Sequence, residues 1–394
     1  MVVYLDHAAS TPLRPEARDA WLAASEVTGN ASSVHGAGQA ARRLLEDARE
    51  RIAAVLGCDP IEVVLTSGGT ESVNLALKGS WWARDAERTA IVLPDGEHHA
   101  TLDTVGWLAS AQGAEIRPVP IDDSAAIDVA AFDAALPGAA VATALVANNE
   151  VGTVSDVAAL AASAAAADVP LHLDAVGAIS HVALDFAALR GPGAGRGGLV
   201  ALSVAGHKVG APVGTGAVVV SRHARMGAVL HGGGQQRGLR SGTPDVAGAA
   251  ALAVAMELTA AERAGEATRL RELADRLLAG VHDVAPQVRL LAAPDRRLPG
   301  HLHLLFPDAL GETLLFLLDS AGVQVSTGSA CQAGVAEPSH VVLALGHTER
   351  EARSVLRITL GRSTTVSDVD TFVAALPEAY RRAAASSARA AARS

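Results

Sequence analysis

Cysteine is nearly absent: the 394 residues hold only Cys58 and Cys331, far apart in the chain. Two thiols at that separation build neither a disulfide framework nor a four-cysteine zinc site, and no metal is expected. Positive charge is scarce as well. With 32 Lys and Arg against 42 Asp and Glu the formal net charge is −10. That balance argues against a generally nucleic-acid-binding surface, since phosphate backbones are held mainly by Lys and Arg, although local basic patches stay open. Long hydrophobic runs are missing too. No stretch approaches the roughly 18 uninterrupted apolar residues of a membrane span, and the opening MVVYLDHAAS lacks the basic-then-apolar pattern of a secretory signal. The expectation is a cytoplasmic protein with no membrane contact and no direct nucleic-acid binding.

What the chain does have is apolar substance. At 394 residues, 49% of them hydrophobic, it can bury a large core and divides more naturally into two domains than one. Gly-rich runs around Gly68, Gly193 and Gly232 separate periodic segments, as loops approaching a ligand do. In residues 37–56 Ala41, Leu44, Leu45, Ala48, Ile52 and Val55 share one face and Gly57 follows as a C-cap, so the spacing predicts a surface helix. Cys58, at the end of that pattern, reads as a structural thiol.

Short β-branched runs then alternate with helical patterns, at 62–66, 89–93, 141–147, 170–174 and 199–203. Such alternation implies an α/β fold with a largely parallel sheet. The run GAVVVS at 216–221 follows only a short loop and is expected to add an antiparallel strand. From about 248 to 284 the pattern is helical and leads towards a second domain, with strands expected at 301–306, 323–327 and 355–360. The tail RRAAASSARAAARS has few bulky apolar residues and is expected to fray. Near-continuous apolar strands point to a sheet covered on both faces, where ligands gather at the carboxyl ends. The polar motifs fall at those ends.

Three of those motifs carry chemistry. VVLTSGGTESVNLAL reads strand, Gly-rich turn, helix, which would aim the backbone N–H groups of Ser67, Gly68, Gly69 and Thr70 at an anion; a tight turn with Thr70 or Ser67 as N-cap fits the same residues. Asp174 ends the strand PLHLD, where it suits a pyridinium nitrogen or, equally, the cap of a following helix. Lys208 follows the apolar run LVALSVAGH, and desolvation there would free a nucleophilic amine for Schiff-base chemistry; the competing reading is a lysine that snorkels to the surface.

A phosphate cup, a pyridinium partner and a Schiff-base lysine in that order resemble a cysteine desulfurase of the NifS/IscS type, in the class-V aminotransferase family. The resemblance runs from YLDHAASTP at 4–12 to LRITLGRSTT at 356–365. Its most specific stretches are TSGGTE, ANNEVGT, GHK, GGGQQRGLRSGT and STGSAC. It implies a fold-type-I pyridoxal phosphate enzyme: a large domain over 16–255 with a mainly parallel seven-stranded sheet between helices, and a smaller α/β domain from 1–15 and 256–384; on composition alone, residues 385–394 are expected to be a disordered tail. By the same resemblance His98 stacks on the cofactor ring and Asn149 lies near the ring oxygen and the substrate carboxylate. Asp174 meets the pyridine nitrogen, Gly69, Thr70 and His207 belong to the phosphate site, and Arg357 grips the substrate carboxylate. Thr243 would complete the phosphate site of the other subunit in a homodimer.

Cys331 sits among small and polar residues in VSTGSACQAGVAEPSH. The resemblance makes it the nucleophile that takes sulfur from L-cysteine, leaves L-alanine, and passes a persulfide to an acceptor protein for iron–sulfur cluster assembly, tRNA thiolation or another thio-modification. Two positions depart from the family pattern: Gly177 stands where Gln is usual, and Ala205 where a phosphate-binding Ser is usual. Loss of both hydrogen bonds predicts weaker cofactor retention. A selenocysteine lyase or other pyridoxal phosphate lyase, and a degenerate homologue acting as a scaffold, are the alternatives.

Overall fold

The computed structural model of the chain describes residues 2–191, 195–293, 295–328 and 337–391. Its centre is a seven-stranded sheet. The strands lie in the order Val63–Thr66, Gly216–Val220, Gly198–Ala205, Pro170–Asp174, Ala139–Leu145, Ala90–Pro94 and Glu115–Val119. All neighbouring pairs are parallel except those of Gly216–Val220, which runs antiparallel to both its neighbours. Only a short link separates it from Ala205, and a parallel return needs a crossover of a dozen residues or more.

Apart from Pro170 the residues of the middle strands are all buried, as those sandwiched between helices must be. Glu115–Val119 has no counterpart in the sequence reading, for it is an edge strand with four of five residues at least partly exposed and a proline within it. The helix Gly36–Leu56 buries Ala41, Leu45, Ala48 and Ile52 and ends at Gly57 in the left-handed conformation, φ 62°. Both features were legible in its spacing.

The helix Val246–Val284 passes from one hydrophobic core to another: Leu252 and Met256 belong to the core of the large sheet, while Leu270, Leu277 and Val281 belong to a second. That second core is covered by a three-stranded antiparallel sheet of Val355–Thr359, His301–Leu305 and Arg289–Leu290. The strand expected at 323–327 is only Val323–Gln324, which pairs in parallel with Val3–Tyr4, while Ser326 beyond it makes a single antiparallel bridge to Arg357 of that sheet.

The tail corrects an expectation. Residues expected to fray, and placed in a disordered tail from 385, continue the helix Val366–Ala391. Ala383 is buried, and Ser387 donates to the Ala383 carbonyl at 3.2 Å while accepting from Leu310 N at 3.3 Å. Alanine and arginine are among the best helix formers, so a lack of bulky apolar residues does not end the helix. Among the described residues no helix is long and apolar enough to cross a membrane.

Candidate active site

A cavity of about 490 Å³ opens at the carboxyl ends of the parallel strands and is shared by residues from both cores. Gly69, Thr70, His98, Asn149, Asp174, His207, Lys208 and Arg357 all line it. Thr243 is exposed and is not part of its wall. Cys331 lies outside the described residues, but Ser326 and Gly328, just before it, line the cavity.

Asp174 reaches the cavity because its strand ends there. Its Oδ1 accepts from Val176 N at 2.9 Å, which satisfies the turn that follows. Burial pushes its carboxyl up to about 6, against the pull of that N–H and of Lys208. Lys208 closes a short turn, Gly206–Lys208, directly after the strand Gly198–Ala205. Its Nζ points inward to the carbonyls of Ala8 and Ala9, the latter at 3.0 Å, so it does not snorkel. Burial, with Arg357 nearby, lowers its amine to about 8, only partly offset by Asp6 and Asp174.

The turn before the helix Gly69–Trp82 is open at its start: Gly68 has φ 145° and no side chain caps the first N–H groups. A Cβ on Gly69 would come within 2.7 Å of Val176, so glycine is required there. Ser67 N already donates to Glu71 at 2.7 Å, and Glu71 pairs with Arg240 at 2.8 Å. The cup is therefore the helix start itself, a ready site for a phosphate group.

His98 both caps and lines. Its Nδ1 accepts from Ala100 N at 3.0 Å, which leaves the proton on Nε2, and burial, helped by Lys208, lowers the imidazole to about 4. The ring facing the cavity is neutral at pH 7. Arg357 is no surface residue: its side chain donates to Asn149 O at 3.0 Å and to Asp6 Oδ1 at 2.9 Å, and its Nε has no partner among the described residues. Asn149 Oδ1 is likewise buried without a partner.

Among the acids at this site that escape the sequence reading, Asp6 and Glu97 bear directly on its charged groups. Asp6, in YLDHAAS, is the ion-pair partner of Arg357. Glu97, directly before His98, is 1% exposed; its Oε1 accepts from Leu145 N at 2.7 Å, and burial with the nearby Asp174 pushes it up to about 8. The available signal was an acid set between the strand Ala90–Pro94 and the paired histidines of GEHHA.

The departures are visible as space. Among the described residues a Cβ on Gly177 would meet nothing nearer than Ala147 O at 3.9 Å, so they leave the wall there open. Ala205 is buried beside the cup and brings no hydroxyl.

The sequence pattern of the class-V aminotransferases matches residues 3–372. The chain belongs to that family. It is 45% identical to an IscS-like cysteine desulfurase of Mycobacterium tuberculosis over 97% of both chains. A solved NifS-like protein superposes with a TM-score of 0.88 at 30% identity, covering 96% of this chain and 99% of that one. A structure of SspA in complex with cysteine superposes with a TM-score of 0.78 at 29% identity, covering 91% and 98%. The fold is therefore that of the NifS-like, fold-type-I enzymes, and members of the family depend on pyridoxal phosphate. The cavity fits that cofactor: an uncapped helix start, a buried carboxylate, a desolvated lysine and an orphaned Asn149 oxygen are the partners a phosphorylated hydroxypyridine aldehyde requires.

Proposed function

We propose that this enzyme is a cysteine desulfurase that converts L-cysteine to L-alanine and leaves the sulfur as a persulfide on Cys331. The observation that carries the reading is the meeting, in one cavity, of the desolvated Lys208, the buried Asp174 and the inward-facing Arg357. Pyridoxal phosphate, when bound, supplies an electron sink for charge developing on the substrate.

The chain's own groups do the rest. Lys208 is the amine that holds the cofactor and then moves protons at the substrate carbon; an amine near 8 gives them up far more readily than one at 10.5. Asp174 keeps a positive charge on the pyridine nitrogen, while Glu97 retains its own proton and leaves the ionised form to Asp174. His98 offers a neutral face. Asn149, His207, Thr70 and the helix start hold the ring oxygen and phosphate, and Arg357 offers its fork to the substrate carboxylate. Overall, two thiols enter, the carbon–sulfur bond of the substrate breaks, a sulfur–sulfur bond forms at Cys331, and a methyl group remains on alanine.

Thr243 serves the site of a second subunit in this reading, which makes the working form a homodimer. Residues 16–255 form the cofactor domain, with 1–15 and 256–384 as the smaller one. We place the enzyme in the cytoplasm, delivering sulfur to a protein that assembles clusters or thiolates tRNA. The test is to add L-cysteine and follow alanine and the mass of the Cys331 peptide: one sulfur atom should be gained, and both products should vanish in Cys331→Ser. Alanine formed equally fast by that variant would sink the assignment.

A further inference from the structure

A second cavity, about 40 Å³, lies at the opposite edge of the large sheet, where Ala140, Pro170 and Val200 begin their strands. Among the described residues it is lined by Arg84, Arg88, Arg196 and Arg225 but by only two carboxylates, Asp85 and Asp168. Arg225 meets Asp85 at 3.2 Å, Arg196 reaches the same oxygen at 4.0 Å, and Arg88 pairs with Asp168 at 3.2 Å. Two positive charges remain in excess.

The interior is unsatisfied as well. Ser80 is 4% exposed, lines the cavity, and its hydroxyl has no hydrogen-bond partner among the described residues. Arg84 Nε is buried and equally unpartnered, although the same guanidinium lies 3.7 Å from the centre of the Trp81 ring and donates to Trp81 O at 2.8 Å. Buried donors left in this way mark a missing water or ion. Water alone would satisfy hydroxyls; it would not balance guanidinium charge. The carbonyl end of the helix Gly69–Trp82 opposes an anion here, but it amounts to about half a charge and Arg84 already donates to it.

We propose that this cavity binds a small inorganic oxyanion of the sulfate or phosphate type, with Ser80 and Arg84 as inner donors and Arg196 and Arg225 closing the mouth. The space suits such an ion, being that of about three water molecules. Guanidinium groups are the preferred partners of tetrahedral oxyanions. The site is independent of the catalytic cavity, which lies at the other end of the strands.

Sulfate, phosphate and chloride are titrated at constant ionic strength into protein saturated with pyridoxal phosphate, so that the phosphate cup of the active site is already filled. Calorimetry should find one saturable oxyanion site per chain, and the unfolding temperature should rise with it; phosphate and sulfate titrated separately show which is preferred. Arg196→Ala with Arg225→Ala should weaken binding about tenfold or more, as loss of charge-assisted hydrogen bonds does, and Ser80→Ala should weaken it by a smaller factor. Chloride matching sulfate, or affinity unchanged in the double variant, overturns the proposal. Both arginines are about half exposed, so folding of the variants is expected, and the single Arg196→Ala gives the same reading if the double variant is unstable.

Discussion

At the carboxyl edge of the large sheet Asp174 and Glu97 are buried and Lys208 and His98 largely withdrawn from water, all four with their proton affinities displaced, whereas at the amino edge Arg88–Asp168 and Arg225–Asp85 face water as ordinary ion pairs. The same strands support both. What differs is solvation: a charge taken out of water must find a partner, change protonation or do chemistry, while an exposed pair contributes about 0–1 kcal/mol. The catalytic groups lie where the desolvation cost is highest. That contrast predicts large effects for substitutions in the cavity, graded by how much of the chemistry each group carries.

The largest effect belongs to Lys208. Lys208→Ala should fail to retain the cofactor after borohydride reduction, read as intact mass, and turnover should fall by at least about a thousandfold. A reduced cofactor still attached in the variant would assign the linkage elsewhere. Arg357 comes next. Arg357→Gln should lower kcat/KM for L-cysteine between about tenfold and a hundredfold, the worth of a charge-assisted hydrogen bond, with Asp6 left unpaired as well. Unchanged steady-state constants would show that the substrate carboxylate is held by another group.

Asp174 sharpens the comparison in the opposite sense, through stability. Burial lifts its carboxyl from 3.8 to about 6. A group raised in this way stabilises the fold fully below its unfolded value, and the contribution is lost as pH climbs through about 6. Lys208 is depressed from 10.5 to about 8, so its contribution is full above 10.5 and lost as pH falls through 8. Cofactor-free protein at pH 7 lacks both contributions. Asp174→Asn should therefore stabilise the cofactor-free protein at pH 7 by up to about 3 kcal/mol, with the gain vanishing near pH 4, while cofactor retention falls. Thermal unfolding at the two pH values checks this, and a loss of stability at pH 7 would mean that the carboxylate is compensated inside the fold.

Much of this was legible along the chain. The succession of buried strands along the chain and the antiparallel Gly216–Val220 follow from periodicity, and Gly69, Thr70, Asp174 and Lys208 from motifs at strand ends, because buried strands and ligand-facing loops differ sharply in composition; His98, Asn149, His207 and Arg357 came only from the family resemblance. Other features were hidden for physical reasons. Glu115–Val119 carries an edge strand's mixed pattern, and the tail's alanines say nothing of packing while favouring helix strongly. Asp6 and Glu97 act through partners more than 45 residues away in the chain, Arg357 for one and Leu145 and Asp174 for the other, which no local pattern encodes. The arginines at the amino edge come from three separate loops, Arg84 and Arg88 sharing one, for the same reason.

The smallest predicted effect concerns what the cavity lacks. Gly177 leaves open wall, and its backbone is not in the left-handed region, so a longer side chain can enter without strain. Gly177→Gln should restore one neutral hydrogen bond to the cofactor ring, and Ala205→Ser one to the phosphate, each worth about 1 kcal/mol, or roughly a fivefold slower loss of cofactor on dilution. Gln has the better prospect, because Ala205 is almost fully buried and an added hydroxyl there must displace its neighbours or find a partner. Cofactor held as tightly by the unaltered protein as by both variants would mean that the remaining donors already saturate the ring and phosphate, and that the two departures are neutral. A gain confined to Gly177→Gln would instead locate the deficit at the ring, on the side where the cavity is open.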